Sequence, residues 1–262
     1  ILYQSIPNTA GSSIRSRDIL ESQLRAGITP IVITSPFQPP IKDGCVREKI
    51  QGVVYYRTFS NNRNEIVSEG NTSLVIQLKK IIQVVRFTRT VYGIAKKEKV
   101  QLVHAHAMFF CAIAALISSF RLKIPMVYEV RSLWEERYKR KNIFKHVIFS
   151  IITYLETFSM YCSDRIIVIN NALKDNISKR YILKNKTISI VPNAVDISNI
   201  KIIEKKNKDL VFAYIGTLSP IEGLDLLIKV FNQLHADGLT NKLIIYGDGI
   251  ERKNLELLAL NN

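Results

Sequence analysis

LVFAYIGTLSPIEGLDLLIKVF (Leu210 to Phe231) and KLIIYGDGIERKNLELLA (Lys242 to Ala259) decide the fold. Each reads as an apolar strand, a glycine turn and an amphipathic helix, with strands expected at Leu210 to Ile215 and Lys242 to Tyr246. Glycine turns of this kind let bare backbone N–H groups approach an anion at a helix N-terminus, where the peptide dipoles favour negative charge. After Gly223, the spacing of Leu224, Leu227, Ile228 and Phe231 gives one apolar helix face, which is a packing feature.

The same alternation runs upstream. Strand-like runs stand at Ile28 to Thr34, Val100 to His106, Ile124 to Val130, Asp164 to Asn170 and Thr187 to Pro192, and helical patterns at 13–26, 72–97, 109–120, 142–162 and 172–181. This is the rhythm of parallel βαβ units, so the fold class is α/β. The lysine-rich polar segment after Asn193 marks a boundary, which divides the chain into domains 1–193 and 194–262. Two parallel strands in the second domain leave an edge and apolar helix faces without partners.

The 262 residues are 47 % hydrophobic, enough for a packed core, and carry a net charge of +15. Residues 201–262 hold 8 basic and 8 acidic residues, so the excess belongs wholly to residues 1–200, with 29 against 14. Such a balance suits a phosphorylated substrate, an anionic membrane or nucleic acid. Cys45, Cys111 and Cys162 lack metal-ligand spacing and read as buried reduced thiols of a reducing compartment. The longest apolar run, Val147 to Cys162, is interrupted by Glu156 and hydroxyl side chains and is not a membrane span.

HAH (His104 to His106), VYEVRSLWEER (Val127 to Arg137), PNAVD (Pro192 to Asp196) and IGTLSPIEGLDLL (Ile215 to Leu227) together resemble the retaining glycosyltransferases of family 4, group 1, with the GT-B fold. Within it the chain is most similar to the branch associated with exopolysaccharide and exosortase gene clusters. The resemblance implies two Rossmann-like parallel-sheet domains, an N-terminal acceptor-side domain and a C-terminal nucleotide-sugar-binding domain, the second incomplete. The chain begins Ile-Leu-Tyr, as though inside a strand, and stops before the family's glutamate pair, so it is expected to be cut at both ends.

Site residues follow from the resemblance. Gly11 and Ser12, in NTAGSSIRSR (Asn8 to Arg17), match the loop lying against the donor phosphates; an ordinary serine-capped loop fits the same residues. His104 and His106 share one face of their strand, and the resemblance makes His106 the catalytic candidate. His104 fits an acceptor-side role and a structural hydrogen bond equally. Arg131, the second catalytic candidate, stands where relatives have a sugar-contacting histidine; a fixed cation with two forked donors suits an anionic group. Glu129 is an acceptor-side acid, Glu135 is a further acid nearby, and position alone assigns no nucleophile. Gly216, Thr217, Glu222, Gly223, Gly247 and Gly249 form the donor set, with Thr217 and Glu222 replacing the usual arginine and lysine, while Asp248 also suits a helix cap.

The implied activity is transfer of a sugar from a nucleotide-diphosphate sugar to a glycan or lipid-linked acceptor, with no cofactor or metal. The altered donor residues leave the activity of this chain open. The basic helices place it in the cytoplasm, peripheral on the inner face of the cell membrane. Two other classes remain: a GT-B-shaped sugar-nucleotide epimerase, and a non-catalytic basic module binding membrane or nucleic acid. No nucleic-acid-binding motif is present, so nucleic acid is not an expected partner.

Overall fold

The computed structural model describes residues 1–8, 10–38, 46–58, 74–106, 108–133, 143–194 and 210–260. Cys45, Trp134 to Lys141, which includes Glu135, and Val195 to Asp196 lie outside the described residues. The chain divides into two compact units, Ile1–Ile197 and Ser198–Asn262.

In the first unit the elements run α1 (Gly11–Arg25), β1 (Ile31–Thr34), β2 (Arg47–Ile50), β3 (Val53–Arg57), α2 (Leu74–Lys97), β4 (Val103–His106), α3 (Phe109–Leu122), β5 (Met126–Val130), α4 (Ile143–Cys162), β6 (Arg165–Val168), α5 (Asn171–Ser178) and β7 (Ile188–Ile190). Strands pair in the orders β1-β3-β2 and β4-β5-β6-β7, parallel except for β2 against β3. The segment Ile1 to Tyr3 joins the two groups. Leu2 N donates to Ile33 O (2.9 Å), Ser35 N to Leu2 O (2.8 Å) and His106 N to Ile1 O (3.0 Å).

One sheet results, ordered β2-β3-β1-(Ile1 to Tyr3)-β4-β5-β6-β7. Counting Ile1 to Tyr3 as the first parallel strand, this is the doubly wound order, which reverses direction between that segment and β4. In such sheets a ligand binds outside the carboxyl ends of the strands at the reversal. The end of β4 is His106.

Alternation along each strand feeds two layers. Val32 and Tyr55 pack with Leu20 of α1 on one face, while Ile33 and Tyr56 pack with Phe87 of α2 and Phe110 of α3 on the other. Ala105, Tyr128 and Val130 continue that second face against Ala112 of α3 and Met160 of α4. His104, His106 and Glu129 therefore fall on the α1 face.

The β2–β3 hairpin is absent from the sequence reading. Its two-residue turn has Gln51 and Gly52 at φ 47° and 85°, the left-handed pair that matches strand twist in a tight hairpin. The hairpin supplies Arg57, whose buried guanidinium pairs with Glu48 (2.6 Å), donates to Ile6 O (2.8 Å) and meets Ser5 Oγ. It thereby fixes the loop leading into α1.

The second unit has β8 (Val211–Thr217), α6 (Leu224–Ala236), β9 (Lys242–Asp248) and α7 (Arg252–Leu260). Leu218, Leu224, Ile228 and Leu255 form its core, with Leu227 partly buried beside them. Ile215 and Tyr246 stay exposed on the two-stranded parallel sheet.

Candidate functional site

Residues 104, 106, 129 and 131 share a face because strand side chains alternate, and β4 pairs with β5 so that His106 lies opposite Glu129. Onto that face α1 lowers Ser12, Arg15 and Ser16, which sit three and four residues apart and hence on one side of the helix. The result is a tight polar cluster around one carboxylate.

Glu129, 2 % exposed, places Oε1 2.9 Å from Arg131 Nε and 3.1 Å from Arg15 Nη2. Its Oε2 lies 3.2 Å from His106 Nδ1 and 3.3 Å from His104 Nε2. Arg131 also donates to Ser12 O and Ser16 Oγ, each at 2.9 Å, and its Nη2 lies 2.6 Å from His106 Nδ1. Arg15 donates onward to Val191 O (3.0 Å) and Pro192 O (2.9 Å), tying α1 to the strand end after β7.

The Arg131 contact selects the histidine tautomer. A guanidinium only donates, so Nδ1 of His106 must accept, and the neutral ring carries its proton on Nε2. Burial, with His104 beside it, pushes the His106 pKa well below its ordinary value against the opposing pull of Glu129. His104 is likewise lowered by burial, its ring centre 3.9 Å from that of His106 and tilted by 31°. Burial by itself raises the Glu129 carboxyl, but His104 and the charge of Arg131 reverse this and hold it ionised far below the usual carboxylate range. With two arginines, one carboxylate and two neutral imidazoles, the cluster carries one net positive charge.

Two histidines and a glutamate with donor atoms within 4.8 Å of one another are also a metal-ligand set. Here guanidinium groups fill the cation's place: Arg131 occupies His106 Nδ1, and both arginines cover Glu129 Oε1. The same commitment leaves Glu129 poorly placed to act as a nucleophile. Arg15 is a member that the sequence reading lacks.

Gly11 opens α1 on the surface, with no atom within 4 Å of a Cβ built there, and Ser12 follows it, exposed. The Asn8 side chain accepts from Ala10 N (2.9 Å), so the turn is held by asparagine and not by serine capping.

In the second unit the expected strand ends move. β8 runs through Gly216 to Thr217, and β9 through Gly247 to Asp248, with Gly216 opposite Gly247. A Cβ on Gly247 would meet Gly216 O at 2.0 Å and one on Gly249 would meet Leu218 O at 2.2 Å, so these glycines permit close backbone approach. Gly223 has φ 65° at the start of α6, a conformation glycine adopts freely. Thr217 and Glu222 are exposed. Asp248 accepts from the next amide, Gly249 N, at 2.8 Å.

Cys111 is buried, but Cys162, expected to be buried, is exposed at the C-terminal end of α4. No helix among the described residues is long and apolar enough to cross a membrane.

The Glycosyltransferase Family 4 pattern matches residues 10–199, and that of Glycosyl transferases group 1 matches residues 196–262. The Escherichia coli UDP-Gal:alpha-D-GlcNAc-diphosphoundecaprenol alpha-1,3-galactosyltransferase is 28 % identical over 198 residues, which cover 68 % of this chain and 46 % of that protein. The Saccharomyces cerevisiae phosphatidylinositol N-acetylglucosaminyltransferase GPI3 subunit is 28 % identical over 167 residues, 60 % of this chain and 35 % of its own length. The chain thus spans less than half of these curated relatives. Among solved structures, Anabaena Alr3699/HepE in complex with UDP superposes with a TM-score of 0.58 at 14 % identity, covering 99 % of this chain and 65 % of that one. Phytolacca americana UGT2 with UDP-2fluoro-glucose and pterostilbene gives a TM-score of 0.57 at 9 % identity, covering 94 % and 70 %. The likeness places both parallel-sheet units within the α/β architecture of the GT-B type. With a family pattern covering most of its length and a doubly wound sheet to match, the chain belongs to Glycosyltransferase Family 4.

Proposed function

We propose that this chain is part of a retaining glycosyltransferase that moves a hexosyl group from a nucleotide-diphosphate sugar to a glycan or lipid-linked acceptor. The observation that carries this reading is the cationic cluster at the sheet's reversal point, where Arg15 and Arg131 outnumber Glu129 beside a neutral His106. Membership of the family and the names of relatives that use UDP-galactose or build on lipid acceptors support it. The structural neighbours with bound UDP support the donor class.

In this reading the acceptor hydroxyl oxygen bonds to the anomeric carbon as the bond to the donor diphosphate breaks, and the hydroxyl proton passes to the departing phosphate on the same face. His106 Nε2–H donates to a sugar or acceptor oxygen. Burial and His104 keep the imidazole neutral, Arg131 fixes its tautomer and contributes charge, and Glu129 orients Arg131. Gly11, Ser12, Gly216, Thr217, Glu222, Gly223, Gly247 and Gly249 belong to the donor side. The reading also places the protein in the cytoplasm against the inner face of the cell membrane, in exopolysaccharide assembly.

Release of UDP from UDP-hexoses, measured with a diphosphate-lipid acceptor, tests it. Loss of turnover in His106→Ala with retained folding and UDP binding is expected. Undiminished turnover in that variant refutes the assignment of the site, and failure to bind any nucleotide sugar refutes the function.

A further inference from the structure

Helices α2, α3 and α4 lie side by side over one face of the sheet, and each turns apolar side chains to solvent. Val85 of α2, Ile117 and Phe120 of α3, and Ile151, Tyr154 and Phe158 of α4 are all exposed, Phe120 to 82 %. On α4 the series Val147, Ile151, Tyr154, Phe158, Tyr161 keeps the three-and-four spacing of a single helical stripe. Three neighbouring helices with uncovered stripes make a continuous apolar face, which a monomeric soluble domain rarely presents.

Between α2 and α3 runs a cleft of about 270 Å³, lined by Val84, Val85, Tyr92, Ile113 and Ile117. Arg89 and Arg121 border it, the latter with its guanidinium carbon 5.6 Å from the Tyr92 ring centre. Over Leu74–Lys97, α2 has six Lys and Arg residues and no acid, and α3 has Arg121 and no acid. On α4 the acid Glu156 is buried beside Tyr128, away from this face.

Apolar stripes bordered by Arg89 and Arg121 match a bilayer bearing anionic phosphates. Two copies of the chain meeting through this face would set like charges against each other, and nucleic acid has no use for the aliphatic stripe. We propose that the outer face of α2, α3 and α4 docks on an anionic phospholipid bilayer. Val85, Ile117, Phe120 and Ile151 enter the acyl boundary, an acyl chain fills the cleft, and Arg89 and Arg121 take lipid phosphates. This deepens the membrane location given under the proposed function and rests on that part of it alone.

The test is flotation of the full chain with vesicles of phosphatidylglycerol and phosphatidylcholine, against phosphatidylcholine alone, at low and high salt. Binding to the anionic vesicles that weakens with salt is expected. Arg89→Gln with Arg121→Gln is expected to lower affinity roughly thirtyfold, from about fivefold per cation. Phe120→Glu and Ile151→Glu, at solvent-exposed positions, are each expected to weaken binding at least tenfold while circular dichroism and UDP binding stay unchanged. Vesicle binding indifferent to both glutamates overturns the proposal, as does equal affinity for duplex DNA or a dimer that Phe120→Glu dissolves. Loss of UDP affinity alone strikes the proposed function and leaves this surface standing.

Discussion

Replacing Arg131 by methionine keeps the length of the side chain and removes its charge and its donors. Arg131 makes four polar contacts, to Glu129, His106, Ser12 and Ser16, at 2.6 to 2.9 Å. Breaking a buried ion pair by deleting one partner costs about 3–5 kcal/mol, because the remaining charge stays buried without compensation. Arg15 still reaches Glu129 Oε1 at 3.1 Å. The expected loss is therefore the lower end of the range, about 3 kcal/mol.

The variant also changes His106. An imidazolium beside a guanidinium is repelled, and Arg131 adds this repulsion to the larger effects of burial and His104 that lower the His106 pKa. Removing the guanidinium lifts that barrier and leaves the Glu129 carboxylate as an attractive neighbour, so the His106 pKa rises. Urea denaturation supplies the stability change, and the imidazole proton signals followed by NMR against pH supply the titration. A loss under about 1 kcal/mol, or a His106 titration equal to that of the parent protein, refutes the reasoning.

Acidification weakens the parent protein in two stages. His104 and His106 have folded pKa values below 6.5, so the unfolded chain takes up protons first and stability falls as pH drops through that value. Glu129, held ionised by its neighbours, adds a second loss below its unfolded value of 4.5, and urea midpoints from pH 7 downwards read both stages. In the native protein iodoacetamide is expected to label Cys162 and to spare Cys111, whose thiol burial pushes up to about 12; peptide mapping by mass spectrometry reads the difference. Gly11→Ala, with open space around it, is expected to leave folding unchanged or to stabilise α1 by up to about 1 kcal/mol, and to weaken UDP-sugar binding measured by calorimetry. Gly247→Ala is expected to destabilise the second unit by at least about 1–3 kcal/mol in thermal unfolding, since its methyl group meets Gly216 O.

The strands and helices were legible where periodicity was strong. The helical pattern over 109–120 became Phe109–Leu122, and the run Ile124 to Val130 became Met126–Val130. The hairpin was not legible because β2 reads REKI, a half-exposed edge strand with little apolar signal, although Gln51-Gly52 before VVYYR marks its turn. Four cluster members could be found, because a period of two places residues 104 and 106 on one face and the family resemblance points to Arg131, with Glu129 an acid two positions before it. Arg15 could not, since an arginine on α1 looks like a solvated helix residue until the sheet order brings α1 over the ends of β4 and β5. The buried Arg57 was hidden in the same way, its partners Ser5 and Ile6 lying some fifty positions upstream.

The glycines that first suggested anion binding fall into two physical kinds. Gly247 and Gly249 face backbone at distances that exclude a side chain, so the close approach of β9 and its following turn to β8 and Leu218 accounts for their lack of one, while Gly216 faces the Tyr214 side chain, its hydroxyl 2.6 Å from where a Cβ would stand. Gly11 faces nothing within 4 Å, and packing gives no reason for a helix to open on a residue of such low helix propensity. A small residue with open space in front of it, one position before a serine whose carbonyl accepts from Arg131, leaves room for a ligand beside fixed positive charge. The charge balance agrees. Arg15 and Arg131 exceed Glu129 by one beside α1, whereas the positions usually held by cations in the second unit are Thr217 and Glu222. An anion approaching this chain therefore gains more from the first unit's cluster than from the second unit's glycines, the reverse of the weight that the glycine turns carry in the sequence.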